Sequence, residues 1–279
     1  MSSTVKEYYD EKTQRIVDRY GPGPRVHYHL GHFGLSRISG GPAHDDLQAC
    51  MFEAQEELLK VAVEIWGVKN FSSKRAIDLG CGLGGASIFL AQSFSANMTS
   101  LTISPEQIPF IRKFSAEAGV ESYIEPILGN AESFTTDTRY DAAIAIESLC
   151  HMRRDLVFES LAKAMNPGGV LCIEDVFLGG EHWRTSFDQY WETRIGTVDE
   201  YIRDAEKAGF ILECNVDITS PTADFWTQSM LILESEISLA EDQGVEHSRL
   251  LRSLRWHAHF LKAWHARGIQ AAILRFRKS

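Results

Sequence analysis

A doubly wound α/β fold, with a mostly parallel sheet covered by helices on both faces, is predicted by three observations. From Lys74 onward, short runs rich in Ile, Leu, Val and Ala alternate with segments of helical period, as expected for buried parallel strands. The first of these runs, Arg75 to Leu79, leads into a glycine turn, Gly80, Cys81, Gly82, that opens a helical segment. Finally, 279 residues with 44% hydrophobic and 24% charged content can bury one large core.

Strands are expected near 75–79, 97–103, 123–128, 140–146, 169–177 and 210–216, with a closing strand near 269–276. Together they give a Rossmann-like seven-stranded sheet. Helices are expected near 84–94, 105–119 and 153–166, and another is opened by the capping-box pair Thr197 and Glu200 and ended by Gly209. Upstream, a helix ends near Tyr20, where Gly21, Pro22, Gly23 and Pro24 break it. Asp45 or Asp46 is expected to cap a helix whose stripe is Leu47, Met51, Ala54, Leu58, Val61 and Ile65, stopped by Gly67. Residues 1–43 therefore read as an N-terminal cap or lid on one domain, 44–279. A helical insertion at about 221–267, carrying Phe225, Trp226, Trp256, Phe260 and Trp264, precedes the last strand.

Composition narrows the partners. The net charge of −10, with no basic stretch beyond Arg275, Arg277 and Lys278, argues against nucleic acid and anionic membrane. Five well-separated cysteines with no CxxC pair give no metal framework, so no metal is expected and a reduced, cytoplasmic setting is the default. The polar start, Met1 to Asp10, lacks the apolar core of a signal peptide, and no apolar run is long enough to span a membrane. A small-molecule substrate fits best. The aromatic stripes of the insertion also fit burial between subunits of a homo-oligomer.

The glycine turn admits two ligand classes. Asp78, two residues before Gly80, suits a ligand with a positive ammonium and would repel a pyrophosphate. A dinucleotide site also calls for an acid at the end of the second strand, where this chain has Leu101, Thr102, Ile103 and Ser104. The turn resembles that of class I methyltransferases dependent on S-adenosylmethionine (SAM), which release S-adenosylhomocysteine. The resemblance covers roughly residues 70–217 and the last strand. It implies that Asp78, Gly80 and Gly82 contact the methionine and ribose parts of SAM. It also implies cofactor contacts at Thr102, Ser104 and Gln107, a run similar to that of cyclopropane-fatty-acid synthases, and at Asn130, Ala131 and Glu132 near the adenine. Two plainer alternatives stand beside these roles. Ser104 and Gln107 can form a capping box around Pro105, and Asn130 to Glu132 can be an ordinary turn.

At the end of the fourth strand, Glu147, Ser148 and His151 fall at the carboxyl edge of the sheet, where open α/β folds bind ligands. Glu147 closes an apolar run, so desolvation would raise its affinity for a proton and fit it as a base facing both cofactor and acceptor. The run Arg25 to Gly34, with Glu147 and Ser148, resembles the terpenoid C-methyltransferases, including those acting on geranyl diphosphate and in teleocidin formation. That resemblance implies that Glu147 removes a proton after an alkene attacks the methyl group. It also implies that aromatic faces steady the intervening cation. The candidate acceptor contacts are Tyr20, His29, Phe33, Trp183, Phe187, Tyr190 and Trp191, several of which must be plain core. Arg25, His27, His29 and Arg37 are candidates for a diphosphate, but no acidic metal-binding pair accompanies them. The balance leans toward a neutral prenylated indole lactam, whose cation can also be quenched by cyclisation. The rivals are an O- or N-methyltransferase using His151 or Glu147 as base, and a non-catalytic SAM-binding regulatory protein.

Overall fold

The computed structural model describes residues 3–34, 43–67, 74–239 and 244–279, so Arg37 lies outside the described residues. Seven strands form one sheet: β1 (Arg75–Leu79), β2 (Asn97–Thr102), β3 (Ile124–Leu128), β4 (Tyr140–Ile146), β5 (Met165–Leu178), β6 (Phe210–Asp217) and β7 (Ile269–Lys278). Their order is β3-β2-β1-β4-β5-β7-β6. The first five run parallel, and β7 lies antiparallel between β5 and β6. From β1 the chain winds outward to β2 and β3, then returns to place β4 on the other side of β1. The carboxyl ends of β1 and β4 therefore flank the switch point of the sheet, where the crossovers diverge and leave a crevice.

Alternating residues of each inner strand feed two cores. Ile77, Leu79, Ala143 and Ala145 face one, and Ala76, Ala142 and Ile144 face the other. That two-sided burial explains why these strands read as unbroken apolar runs. Helices α3 (Gly85–Phe94), α4 (Gln107–Glu117), α5 (Arg154–Ala164) and α7 (Val198–Lys207) cover the sheet. The Thr197/Glu200 capping box forms in full.

Four differences from the sequence expectation have local causes. Strand β5 starts at Met165 rather than 169, because Met165 pairs with Tyr140 before a register shift leads to the regular ladder from Val170. In α2 (His44–Trp66), Asp45 and Asp46 lie inside the first turn and Ala43 is the cap residue, without a side-chain bond. The α2 stripe leaves Leu58 by way of Leu59, Ala62, Val63 and Trp66, so Val61 and Ile65 are only partly buried. A short helix, α6 (Arg184–Trp191), lies in the aromatic stretch that had no assigned element.

The remaining helices build over the carboxyl edge. Helix α1 (Ser3–Tyr20) and the extended segment to Gly34 are tied down at both ends: Ser104 Oγ donates to Asp10, and Arg19 forks onto Glu236. Backbone bonds from His32 to Ala54 and from Phe33 to Pro221, each 2.8 Å, seat the segment between α2 and the chain entering α8 (Asp224–Leu239). Helices α8 and α9 (Val245–His265) pack together and bury Trp226, Phe260 and Trp264. No helix among the described residues is long and apolar enough to cross a membrane.

Candidate active site

The turn after β1 is pinned to its neighbour: Gly80 and Cys81 both donate their N–H to the Leu101 carbonyl, at 2.9 and 3.0 Å. Gly80 has φ 75°, and a Cβ there would sit 2.8 Å from the Ser148 Cβ, so only glycine lets the β1 and β4 turns approach this closely. Gly82 also has a positive φ, 55°, but a Cβ there would meet nothing within 4 Å. Its backbone borders open space in the crevice.

Asp78 lines this cleft and is 2% exposed. Its carboxylate accepts from Ser87 Oγ at 2.7 Å, and Ser87 accepts in turn from Ser100 Oγ at 2.8 Å. Burial pushes the carboxyl up to about 7 against the opposing Ser87 bond. A cationic group bound here would favour the ionised form. Across the cleft, Thr102 donates to Gln107 Oε1 and accepts from the Ser104 N–H at 3.1 Å. Thr102 and Gln107 line the cleft, whereas the Ser104 side chain turns to Asp10 of α1. The capping box fails to form: α4 starts at Gln107, after Glu106, and the side chains of Ser104 and Gln107 are committed elsewhere.

Ala131–Ser133 form a short 3-10 turn capped by Asn130, whose side chain accepts from the Glu132 N–H at 3.0 Å. Glu132 accepts from the Arg153 N–H at 2.9 Å and from Ser160, which ties the turn to α5. Asn130, Ala131 and Glu132 are not among the residues lining the cleft as it stands.

Glu147 sits where the cleft meets a second, aromatic chamber and lines both. Its backbone is held at φ 44°, a strained value for a side chain of this kind, by an N–H bond of 2.8 Å to the Glu174 carbonyl. One carboxylate oxygen accepts from the Leu30 N–H of the N-terminal segment. Burial pushes its affinity for a proton above the usual carboxylate range, and Asp175 adds to the shift. Glu174 is fully buried, with no hydrogen-bond partner for either carboxyl oxygen among the described residues. Asp175 accepts from Cys150 N at 3.0 Å, Val176 N at 2.8 Å and Tyr201 Oη at 3.1 Å, and so braces the turn that carries Glu147 to His151.

His151 is engaged at both nitrogens: Nδ1 lies 3.1 Å from the Glu192 carbonyl and Nε2 lies 2.9 Å from Tyr9 Oη. The carbonyl requires a proton on Nδ1, so Nε2 accepts from the tyrosine, an assignment made from partners. Burial pulls the imidazole down to about 4, so it is neutral. This suits a residue that fixes Tyr9 of α1 over the site. His29 donates through Nδ1 to the Leu30 carbonyl at 2.7 Å and leaves a buried, unpartnered Nε2. Arg25 Nε and His27 Nε2 are both engaged by Glu56 Oε1, at 2.8 and 2.6 Å, which offsets their charge.

Tyr28, Phe187, Trp191, Phe225 and Trp226 wall the aromatic chamber together with Tyr9, and among the described residues no lysine or arginine lines it. Of the acceptor contacts expected from sequence, His29, Phe187 and Trp191 meet there. Tyr20 and Tyr190 line a neighbouring cavity. Phe33 and Trp183 are core residues: the Trp183 ring packs at Gly268 and lies 4.9 Å from that of His259. Tyr9, Tyr28, Phe225 and Trp226 are additions that sequence reasoning had not placed at the acceptor.

Residues 76–169, spanning the glycine turn and Glu147, match the family model described as a methyltransferase domain. The matched segment is a methyltransferase domain. The methyltransferase is 24% identical over 82% of its length to a 2-methyl-6-phytyl-1,4-hydroquinone methyltransferase of Synechocystis, of which the match covers 73%. It is 26% identical over 80% of its length to a 24-methylenesterol C-methyltransferase of Arabidopsis thaliana, and there the match spans 61% of the relative. Its fold is also that of the geranyl diphosphate C-methyltransferase of Streptomyces coelicolor, with TM-score 0.81, 15% identity, and coverage of 99% of this chain and 97% of that one.

Proposed function

We propose that the enzyme transfers a methyl group from SAM to an alkene carbon of a prenyl or terpenoid acceptor. The observation that carries this reading is the position of Glu147. Among the described residues it is the one carboxylate shared by the glycine cleft and the aromatic chamber, in whose wall they place no lysine or arginine. When bound, SAM supplies an electrophilic methyl group and leaves as S-adenosylhomocysteine. Gly82 gives it backbone room, Asp78 suits its ammonium, and Thr102 with Gln107 offers polar groups where a dinucleotide site would carry an acid.

An alkene needs no deprotonation before it attacks. Its π electrons form the new carbon–carbon bond, the sulfur retains the electrons of the broken bond, and the acceptor becomes a carbocation. Tyr28, Trp191 and Trp226 stand where aromatic faces can steady that charge, at about 0.5 to 2 kcal/mol each. Glu147, as the carboxylate, then takes the proton and becomes the neutral acid, a form that its burial favours. The largely apolar, aromatic wall limits the water that could trap the cation. A heteroatom reading with His151 as base is disfavoured, because burial lowers its affinity for a proton and both of its nitrogens are engaged. The relatives named above as C-methyltransferases support the carbon reading.

Incubation with methyl-labelled SAM and either geranyl diphosphate or a prenylated indole lactam, read by mass spectrometry, should give a labelled prenyl product from at least one. Unlabelled acceptors despite SAM binding would overturn the proposal. Binding should also depend on pH through Asp78. Its value of about 7 in the free cleft means that binding a cation below that pH must expel a proton. SAM affinity should therefore be level above about pH 8 and fall by about tenfold per unit below about pH 7. Calorimetry across that range checks it, and a flat profile would contradict this role.

A further inference from the structure

A third cavity, of about 170 Å³, lies beside the aromatic chamber and shares Tyr28 and Trp191 with it. Lys12, Arg15, Arg19, Arg249 and Arg252 line it, contributed by α1 and α9, and no carboxylate among the described residues does. Two of these cations are matched: Arg19 by Glu236 and Arg249 by Glu246. Lys12 donates to the Tyr8 hydroxyl, with its ammonium 3.7 Å from that ring's centre, and forms no ion pair among the described residues. Arg15 and Arg252, on the exposed rim, form none there either. Glu192 and Glu246 are the nearby carboxylates whose charges act on Lys12 and Arg15. In a chain of net charge −10, a half-buried cavity holding three unmatched cations is an electrostatic cost without an obvious structural return.

We propose that this cavity is an oxyanion subsite that holds a phosphate or diphosphate ester at the head of the acceptor. The prenyl tail then passes Tyr28 and Trp191 into the aromatic chamber. The inference rests on the acceptor reading given above and specifies its head group. It replaces Arg25 and His27, which are tied to Glu56, with a different set of residues, and it favours a charged acceptor over a neutral lactam. Arginines suit the role because their planar donor forks match phosphate oxygens. The exposed rim at Arg15 and Arg252 makes the interaction sensitive to salt. The surroundings of Lys12 show what the missing charge would relieve: burial and the neighbouring Arg19, Arg249 and Arg15 pull its ammonium down to about 7.

The test is calorimetry on the full chain loaded with S-adenosylhomocysteine, using inorganic pyrophosphate, geranyl diphosphate and geraniol as probes. Pyrophosphate should bind, and more weakly as salt is raised. Geranyl diphosphate should bind at least tenfold more tightly than pyrophosphate and compete with it. The double variant Lys12→Met, Arg252→Gln should lose at least tenfold in affinity for both anions, while its affinity for SAM, which certifies the fold, stays unchanged. Absence of pyrophosphate binding, equal binding by the variant, or geranyl diphosphate no tighter than pyrophosphate would each overturn the subsite. Labelled methyl appearing in a neutral prenylated acceptor would leave the carbon-methylation reading intact even then. Anion binding without any methylated acceptor would instead remove that reading and leave the subsite.

Discussion

Glu147→Gln should lower formation of the methylated prenyl product by about 10² to 10⁴-fold while leaving SAM affinity within about threefold of wild type. The amide keeps the size of the side chain, and its oxygen can still accept the Leu30 N–H that the carboxylate accepts now. The turn is therefore preserved, together with the backbone bond from Glu147 to Glu174 that holds φ at 44°. What the amide loses is the capacity to take a proton. Glu147→Asp keeps that capacity but retracts the carboxylate by one methylene, so its loss should be smaller and arise from misplacement. Single-turnover product analysis separates the two variants. A glutamine variant that turns over like wild type would show that Glu147 takes no proton.

Gly80→Ala should weaken SAM binding by more than tenfold and lower Tm. Two costs combine. A non-glycine residue at φ 75° is strained by about 1 to 2 kcal/mol, and a Cβ placed 2.8 Å from that of Ser148 forces the β1 and β4 turns apart, at a further ~1 to 3 kcal/mol. The second cost falls on the contact that aligns Asp78 and Glu147. Gly119→Ala provides the control: φ is 68° there as well, but no atom lies within 4 Å of the added Cβ. It should lower stability through backbone strain alone and leave SAM affinity unchanged. Equal SAM affinity in the two variants would mean that the close approach at Gly80 has no bearing on the cofactor.

The parts of the site that could be read from the sequence are those written within a few residues of one another. The apolar run, Asp78 and Gly80–Gly82 announce a strand, a tight turn and a cleft because backbone geometry demands those residue types locally. Glu147 is legible for the same reason, as an acid closing an apolar run. The acceptor walls are not local. Tyr9 meets His151 across 142 residues of sequence, and Trp226 reaches the chamber from a helix inserted before the last strand. Aromatic character marks Trp183 and Trp226 alike as candidates for burial, but does not tell that one packs at Gly268 and the other lines a cavity. Nor does charge counting reveal the basic cavity, because its cations come from both ends of an acidic chain. The acids Glu174 and Asp175, set within the apolar run of β5, were the one overlooked local signal of a polar cluster beneath Glu147.

The most direct test of the central claim is to locate the transferred methyl group. With SAM carrying a heavy-carbon methyl and a prenyl acceptor, NMR of the isolated product should show the labelled carbon bonded to carbon of the prenyl chain, and the signal should vanish with Glu147→Gln. A labelled methyl bonded to oxygen or nitrogen would contradict the account and make the enzyme a heteroatom methyltransferase.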